Sequence, residues 1–305
     1  MRAGHGTLLN FTLKFGTKNL RDFLNEIVLP AFLDSQPRKY GTTTFLFHEP
    51  EVVDFGDEEN PDEAIIGKFV KDSVLKNDQL LEGNKLIEAN DFMRTSPSAT
   101  FALFLKDHRL IYFSDVPNAP SYENFKSTAL AFLKTARRKH IRSEYDRIKK
   151  TGQEKVSLAD LERIIPVPTL NVLPIPASHD AETLIKDFEI LKSLVFKTVE
   201  PNDEFQAGEI FENLTESSKK LGSTGTLSFR NSDGIDKPSA TIHLSNATKK
   251  GITYFKATGT GEEGQKIDRT NVDLKTEVPL DPLPNTKRQT IKRLSLIFRN
   301  MGLRG

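Results

Sequence analysis

The sequence predicts an α+β protein of antiparallel sheets, with helices packed on one side, in two halves. Three stretches carry this prediction. "TLLNFTLKF" alternates cleanly, with Leu9, Phe11, Leu13 and Phe15 on one face, as a half-buried strand does. "SATFALFL" and "RLIYFSDV" are two apolar runs that turn at "KDH", which is a hairpin and therefore antiparallel sheet. "NAPSYENFKSTALAFLKTARRKHIRSEYDRIKK" is a helix of about eight turns, opened by Pro120 and Ser121 and stopped near Gly152.

The remaining elements follow in order. Thr17 is expected to cap a helix carrying Leu20, Phe23, Leu24, Ile27 and Val28, which Pro30 kinks or ends. "TTTFLFHE" is a second strand, and the acidic stretch after it reads as loop. In "AIIGKFVKDSVLKNDQLL", β-branched content and Gly67 favour strand over helix. "TGQEK" then marks a boundary, giving an N-terminal domain 1–152 and a C-terminal domain 153–305. The second domain opens with a short helix, "SLADLERII", and a proline-punctuated strand, "PVPTLNVLPIPAS". The helix "AETLIKDFEIL" and the strand "SLVFKTVEP" complete what reads as a split β-α-β unit. "DEFQAGEIFENLTESSKKLG" is a helix ending at Gly222. "TGTLSFRNSDG", "ITYFKATGTG" and "QKIDRTNVDLKTEVPL" are strands, and "SATIHLSNATKKG" fits either strand or helix. The capped helix "NTKRQTIKRLSLIFRNMG" has Ile291, Leu294, Ile297, Phe298 and Met301 on one face. No internal repeat has a fixed period.

Composition narrows the chemistry. A chain of 305 residues buries one large core or two ordinary ones. With 28% charged and 37% hydrophobic residues it has a globular balance. The absence of cysteine excludes disulfides, thiolate catalysis and cysteine-based metal sites. No apolar run approaches membrane-spanning length, and "MRAGHGTLLNF" lacks the apolar core of a signal peptide, so a cytoplasmic protein is expected.

Few motifs point to catalysis. "GTGEEG" (Gly259, Gly261, Gly264) matches the dinucleotide glycine pattern, but a strand follows instead of a helix, so a hairpin turn is favoured. His5, His48, His108, His140, His179 and His243 show no metal spacing. "DRTNVDLK" offers Asp268, Asp273 and Lys275 as a nuclease-like set, with Asp273 and Lys275 on one strand face. A solvated strand edge is the favoured alternative. No catalytic residue, metal or cofactor is expected.

Charge is the stronger signal. The net charge is +1, yet it is segregated. Residues 49–63 carry eight acids and no base, whereas residues 134–150 carry eight bases against Glu144 and Asp146. On a helix, Lys134, Arg138, Arg142 and Lys149 fall within about 80° of arc, opposite Phe125, Ala129, Phe132 and Ala136. Like charges at i, i+4 repel, and phosphate contact would offset that. Arg137 and Lys139 complete the candidate set, with Lys287, Arg288, Lys292 and Arg293 of the C-terminal helix second. The rival reading pairs the basic stripe with the acidic 49–63 loop, within the molecule or across a dimer. Neither basic run has an aromatic cluster for base stacking, and no helix-turn-helix is evident. Binding would therefore address phosphates, with strong salt dependence and weak sequence preference.

The segment order adds a resemblance. "TTTFLF", then "ATFALFLKDHRLIYFSDVPNAPSYENFKSTALAFL", then "KKLGSTGTLSFRNSDGIDKPSATIHLSNATKKGITYFKATG" resembles the layout of the RexA family of bacteriophage-exclusion proteins, and more distantly of the antiphage protein KwaB. The resemblance is of layout over about two-thirds of the chain, with no short motif matched. It implies a homodimer that binds double-stranded DNA without sequence specificity in phage defence or exclusion. The leading expectation is therefore a non-catalytic duplex-DNA-binding protein. The alternatives are a metal-dependent nuclease using Asp268 and Asp273, and a regulatory subunit that pairs with a second defence-system protein.

Overall fold

A computed structural model describes residues 4–57, 62–114, 116–151, 156–176, 180–198, 209–221, 223–248, 253–274, 277–280 and 283–301. The fold is α+β, with antiparallel sheets. In chain order the first elements are β1 (Gly4–Phe15), β2 (Lys18–Asn19), α1 (Leu29–Leu33), β3 (Arg38–Tyr40), β4 (Thr43–Asp54), β5 (Glu63–Glu82), β6 (Lys85–Thr95), β7 (Ser98–Phe104), β8 (Arg109–Phe113) and α2 (Tyr122–Thr151). Then come α3 (Leu158–Ile164), β9 (Pro168–Pro174), α4 (Asp180–Lys186), β10 (Ile190–Thr198), α5 (Glu209–Lys220), β11 (Thr226–Arg230), α6 (Lys237–Thr248), β12 (Thr253–Thr260), β13 (Lys266–Thr270), β14 (Glu277–Leu280) and α7 (Lys287–Asn300).

The large sheet runs β14-β1-β8-β7-β5-β4-β3, with β2 and β9 added on β1 and β6 on β5. The small sheet runs β11-β10-β12-β13. Strand alternation gives the large sheet two apolar faces. Leu9, Phe11, Leu13, Phe15, Ile65, Phe69, Phe101, Leu103 and Leu110 point to one, where α1 and α2 pack. Leu8, Ala64, Ile66, Ala102, Phe104 and Ile111 point to the other, where Ile291, Leu294 and Phe298 of α7 cover them. Helices therefore lie on both faces of this sheet and not on one, because the second face is too apolar to meet water.

The first core is built on phenylalanines. Phe125 of α2 is fully buried, with ring centroids 5.1 Å from Phe101, 5.6 Å from Phe47 and 5.7 Å from Phe69. Such tilted and edge-on contacts are favoured by the ring quadrupoles. On β1 the polar alternates Asn10, Thr12 and Lys14 are also buried. Asn10 Nδ2 donates to Thr12 Oγ1 at 3.0 Å, Arg109 donates to Asn10 Oδ1, and Lys14 Nζ donates to Asn19 Oδ1 at 2.6 Å. Burial of a polar face is tolerable when its groups bond one another.

A bulge divides β4. Its register with β5 shifts between His48 and Glu51, where Glu49 has φ +48°. Before it, Phe45 and Phe47 point to the α2 side; after it, Val53 and Phe55 point to the α7 side. Gly67 lies opposite, where a Cβ would stand 2.9 Å from the Pro50 Cα and 3.2 Å from the Phe101 ring. The close approach of the two backbones requires glycine there.

Cores and sheets do not divide at 152. β9 pairs with β1 over Leu9↔Pro174 to Phe15↔Pro168, and β14 pairs with β1 over Gly4↔Leu280 to Thr7↔Glu277. The stretch 181–274 instead builds its own core from Leu184, Phe188, Leu194, Phe196, Leu244 and Phe255. β9 and β10 consequently lie in different sheets, and the expected split β-α-β unit is not formed.

Local differences have local causes. Asn19, not Thr17, opens the first helical segment, its N–H donating to Asp22 Oδ2 at 2.5 Å. That segment passes from a 3₁₀ turn to a π turn to α1, and Pro30 sits in the first turn of α1, where a missing N–H costs nothing. The acidic stretch is not all loop: β4 runs to Asp54 and β5 starts at Glu63. "SATIHLSNATKKG" is helical, because Ala240, Leu244 and Ala247 fall on one buried face and Asp236 accepts from Ser239 N at 2.9 Å. The expected helix stop at Gly222 lies outside the described residues.

β5 and β6 outrun the sheet. From Ser73↔Thr95 to Glu82↔Lys85 they pair only with each other, as a two-stranded ribbon. Arg94 donates to both carboxylate oxygens of Asp72 at its base, at 3.0 and 2.7 Å. These bonds, with one from Ser96, hold the Asp72 carboxyl below its ordinary pKa.

Candidate nucleic-acid interface

Helix α2 presents the basic stripe as a consequence of its packing. Phe125, Ala129, Phe132, Leu133, Ala136 and Ile141 are buried against the sheet. Lys134, Arg138, Lys139, Arg142 and Lys149 are all exposed. At 1.5 Å per residue, Lys134 to Lys149 spans roughly 22 Å, or about six base-pair steps of duplex.

Acids reach only part of the stripe. Arg142 Nε lies 3.6 Å from Asp146 Oδ2, with both side chains exposed. Arg147 donates to Glu144 Oε2 from Nε at 3.0 Å and from Nη2 at 2.8 Å, which raises the Arg147 pKa and lowers that of Glu144. Among the described residues no carboxylate stands within ion-pair distance of Lys134, Arg138, Lys139 or Lys149.

Arg137 departs from its expected role. Its side chain is 6% exposed, with Nε donating to Ile165 O at 2.7 Å and Nη2 to Glu162 O at 3.1 Å. Burial lowers its guanidinium pKa. It closes the C-terminal end of α3 onto α2 and is directed away from any phosphate on the outer face. Arg137→Ala is expected to cost about 1–3 kcal/mol in urea unfolding and to leave the salt dependence of DNA binding unchanged.

The C-terminal candidates do not join this surface, since α7 covers the opposite face of the sheet. Thr286 caps α7, accepting from Gln289 N at 3.4 Å. Lys287 Nζ donates to Glu51 Oε2 at 2.6 Å and to Glu49 O at 3.3 Å. Lys292 and Arg299 line a cavity of about 590 Å³ together with Asp57 and Asp62. Arg288 and Arg293 are exposed on the same helix. Glu51, Asp57 and Asp62 of the acidic segment thus face the C-terminal helix, and among the described residues the segment makes no ion pair with α2. A double-mutant cycle of Glu51→Ala and Lys287→Ala is expected to give a coupling of roughly 0.2–1 kcal/mol by denaturant unfolding.

The nuclease-like set is dispersed. Asp268 on β13 pairs with Lys256 at 3.1 Å and Lys266 at 3.7 Å, and bonds from Lys256 and Thr258 keep its carboxyl below the ordinary range. Asp273 lies in a 3₁₀ turn, Asn271–Leu274, not on a strand. Its Oδ2 accepts from Thr270 N at 2.8 Å. Lys275 lies outside the described residues. Among the described residues no three His, Asp or Glu side chains gather to hold a metal. "GTGEEG" runs from the end of β12, where Gly259 pairs with Ile267, into the β12–β13 hairpin turn, with Gly264 at φ +73°.

Local sequence pattern gives no sign of a groove of about 710 Å³ beside α2. Its floor is Pro30, Ala31, Phe132 and Ala136, and its rim includes Asp34, Arg38, Lys139 and His140. The two walls come from segments about one hundred residues apart, which no local periodicity relates.

Neither a protein-family model nor a curated protein sequence matches the chain. Among the described residues no helix is long and apolar enough to cross a membrane.

Proposed function

We propose that this chain binds duplex DNA without sequence specificity, by phosphate contacts along α2. The carrying observation is the exposed row Lys134, Arg138, Arg142 and Lys149, with Lys139 on its flank, on a helix whose opposite face is fixed in the main core. Of the acidic segment that could have neutralised that row, Glu51 pairs with Lys287 of α7, and Asp57 and Asp62 share a cavity with Lys292 and Arg299 of the same helix. A rigid helix holds its charges at about 6 Å axial steps, so phosphate contact costs little ordering of the backbone. The proposed role is binding without catalysis. A place in antiphage defence or phage exclusion follows from the layout resemblance to the RexA family.

The test is titration of a labelled duplex at two salt concentrations, with sequence varied. The expected result is submicromolar binding at low salt that weakens steeply with added salt and is indifferent to sequence. A flat salt response, or no binding at low salt, would overturn the proposal.

A further inference from the structure

The groove beside α2 has one irregular wall and one regular wall. The first runs from Glu26 to Arg38, through the π turn Leu24–Val28, then α1, then the irregular segment 34–37. A π turn within a helical segment recurs at functional sites, and this one carries Glu26 of the groove lining. The second wall is α2 from Ala131 to Ser143, roughly 18 Å of helix. A cavity of about 710 Å³, with an apolar floor and a few polar groups, has the size and lining of a small-molecule site.

Four charged side chains converge on this groove without pairing. Arg38 Nη1 donates to Ser127 Oγ at 3.1 Å and to Thr128 Oγ1 at 3.4 Å, and the guanidinium lies 5.9 Å from the Tyr40 ring centroid. Hydroxyls and a ring hold the guanidinium in place, but neither cancels its charge. Among the described residues Arg38, Lys139, Glu26 and Asp34 make no ion pair. An anchored arginine with unused donors suits a phosphate or carboxylate. A carboxylate only accepts, so Glu26 and Asp34 call for N–H donors on the same ligand. Pro30, Ala31, Phe132 and Ala136 supply the apolar surface between the two walls. A fatty acid would meet the arginine and the floor, yet it would cover two carboxylates without a donor, which costs affinity.

We propose that the groove binds a nucleoside monophosphate whose base carries an amino group. The phosphate is held by the Arg38 guanidinium, the base covers the apolar floor, and its N–H groups are accepted by Glu26 and Asp34. Thr135 and Ser143 on the α2 wall offer hydroxyls to the sugar. By helical phase the groove is centred about 110° around α2 from the basic stripe. The site is therefore separate from the proposed DNA contact and does not depend on it.

The experiment is calorimetric titration of nuclease-treated full chain, without DNA. The probes are AMP, GMP, CMP, UMP, adenosine and inorganic phosphate. At least one of AMP, GMP and CMP is expected to saturate a single site at micromolar concentration. UMP, whose one N–H is flanked by carbonyl oxygens, should bind at least tenfold more weakly, as should adenosine and inorganic phosphate. Arg38→Ala should weaken the nucleotide about tenfold or more, the scale of one charge-assisted hydrogen bond. Glu26→Gln with Asp34→Asn should cut the preference over UMP to below about threefold. Both of these side chains are exposed, so thermal unfolding should be unchanged in that variant. Arg138→Glu with Arg142→Glu should bind the nucleotide within about threefold of the native chain. No saturable binding of any nucleotide at millimolar concentration would overturn the proposal. So would inorganic phosphate or UMP binding as tightly as the preferred nucleotide, or undiminished affinity in Arg38→Ala. Loss of nucleotide binding in the Arg138 and Arg142 variant would also overturn it, by moving the contact to the stripe.

Discussion

Replacing Arg138 and Arg142 together by Glu is expected to weaken duplex binding at low salt by about 100-fold or more, with thermal unfolding unchanged. Each guanidinium on a phosphate makes a charge-assisted hydrogen bond worth about 1.5–3 kcal/mol, and Glu adds repulsion. Neither residue holds the fold together: among the described residues Arg138 donates only to Thr135 Oγ1, at 3.3 Å, and Arg142 has an exposed pair with Asp146. Replacement by Gln removes charge without reversing it and should lower the slope of log affinity against log salt by about two. Fluorescence anisotropy over a salt series measures both. Undiminished affinity in the Glu variant would place the contact elsewhere; loss of the fold would mean that the stripe serves structure.

Phe125→Ala should have the opposite profile, a large loss of stability and of binding together. Phe125 is fully buried where α2 crosses the sheet, in ring contact with Phe32, Phe47, Phe69, Phe101 and Tyr112. Truncating a buried phenylalanine costs about 3–5 kcal/mol, comparable with much of the stability of an ordinary domain. Chemical denaturation should show a lower midpoint with little change in slope. Phe125→Leu, which keeps most of the volume, should lose distinctly less. A midpoint unchanged in Phe125→Ala would contradict the packing described for this core.

What could be read from the sequence was local. The β1 alternation, the β7–β8 hairpin and α2 are each specified by neighbours within a turn or a strand pair. So was the basic stripe, whose phase follows from the apolar residues of the same helix. The misplaced features were matters of long-range pairing. β14 reaches β1 across the whole chain, so a composition break near 152 carried no information about which strands share a sheet. Lys287 and Glu51 are 236 positions apart, and nothing near either residue announces the other. Arg137 sits inside the same charge run as Arg138, yet one residue of helical rotation turns it from solvent to the α3 carbonyls. Asp273 alternates with its neighbours as a strand residue would, but its carboxylate bonds back to Thr270 and closes a turn.

The β4 bulge also sets a rule for how this chain tolerates length change. It acts as a parity switch between the two cores: Phe45 and Phe47 serve one, Val53 and Phe55 the other. Deleting one residue between His48 and Glu51 would remove the extra residue, restore plain alternation and still leave Val53 opposite Ala64 on the α7 layer, with Glu51 on the side of Lys287. Deleting two would leave β4 one residue short of its partner and turn Val53 and Phe55 towards the α2 layer. Length loss in this short segment is therefore bounded at a single residue, a frame imposed by the sheet and invisible to residue composition.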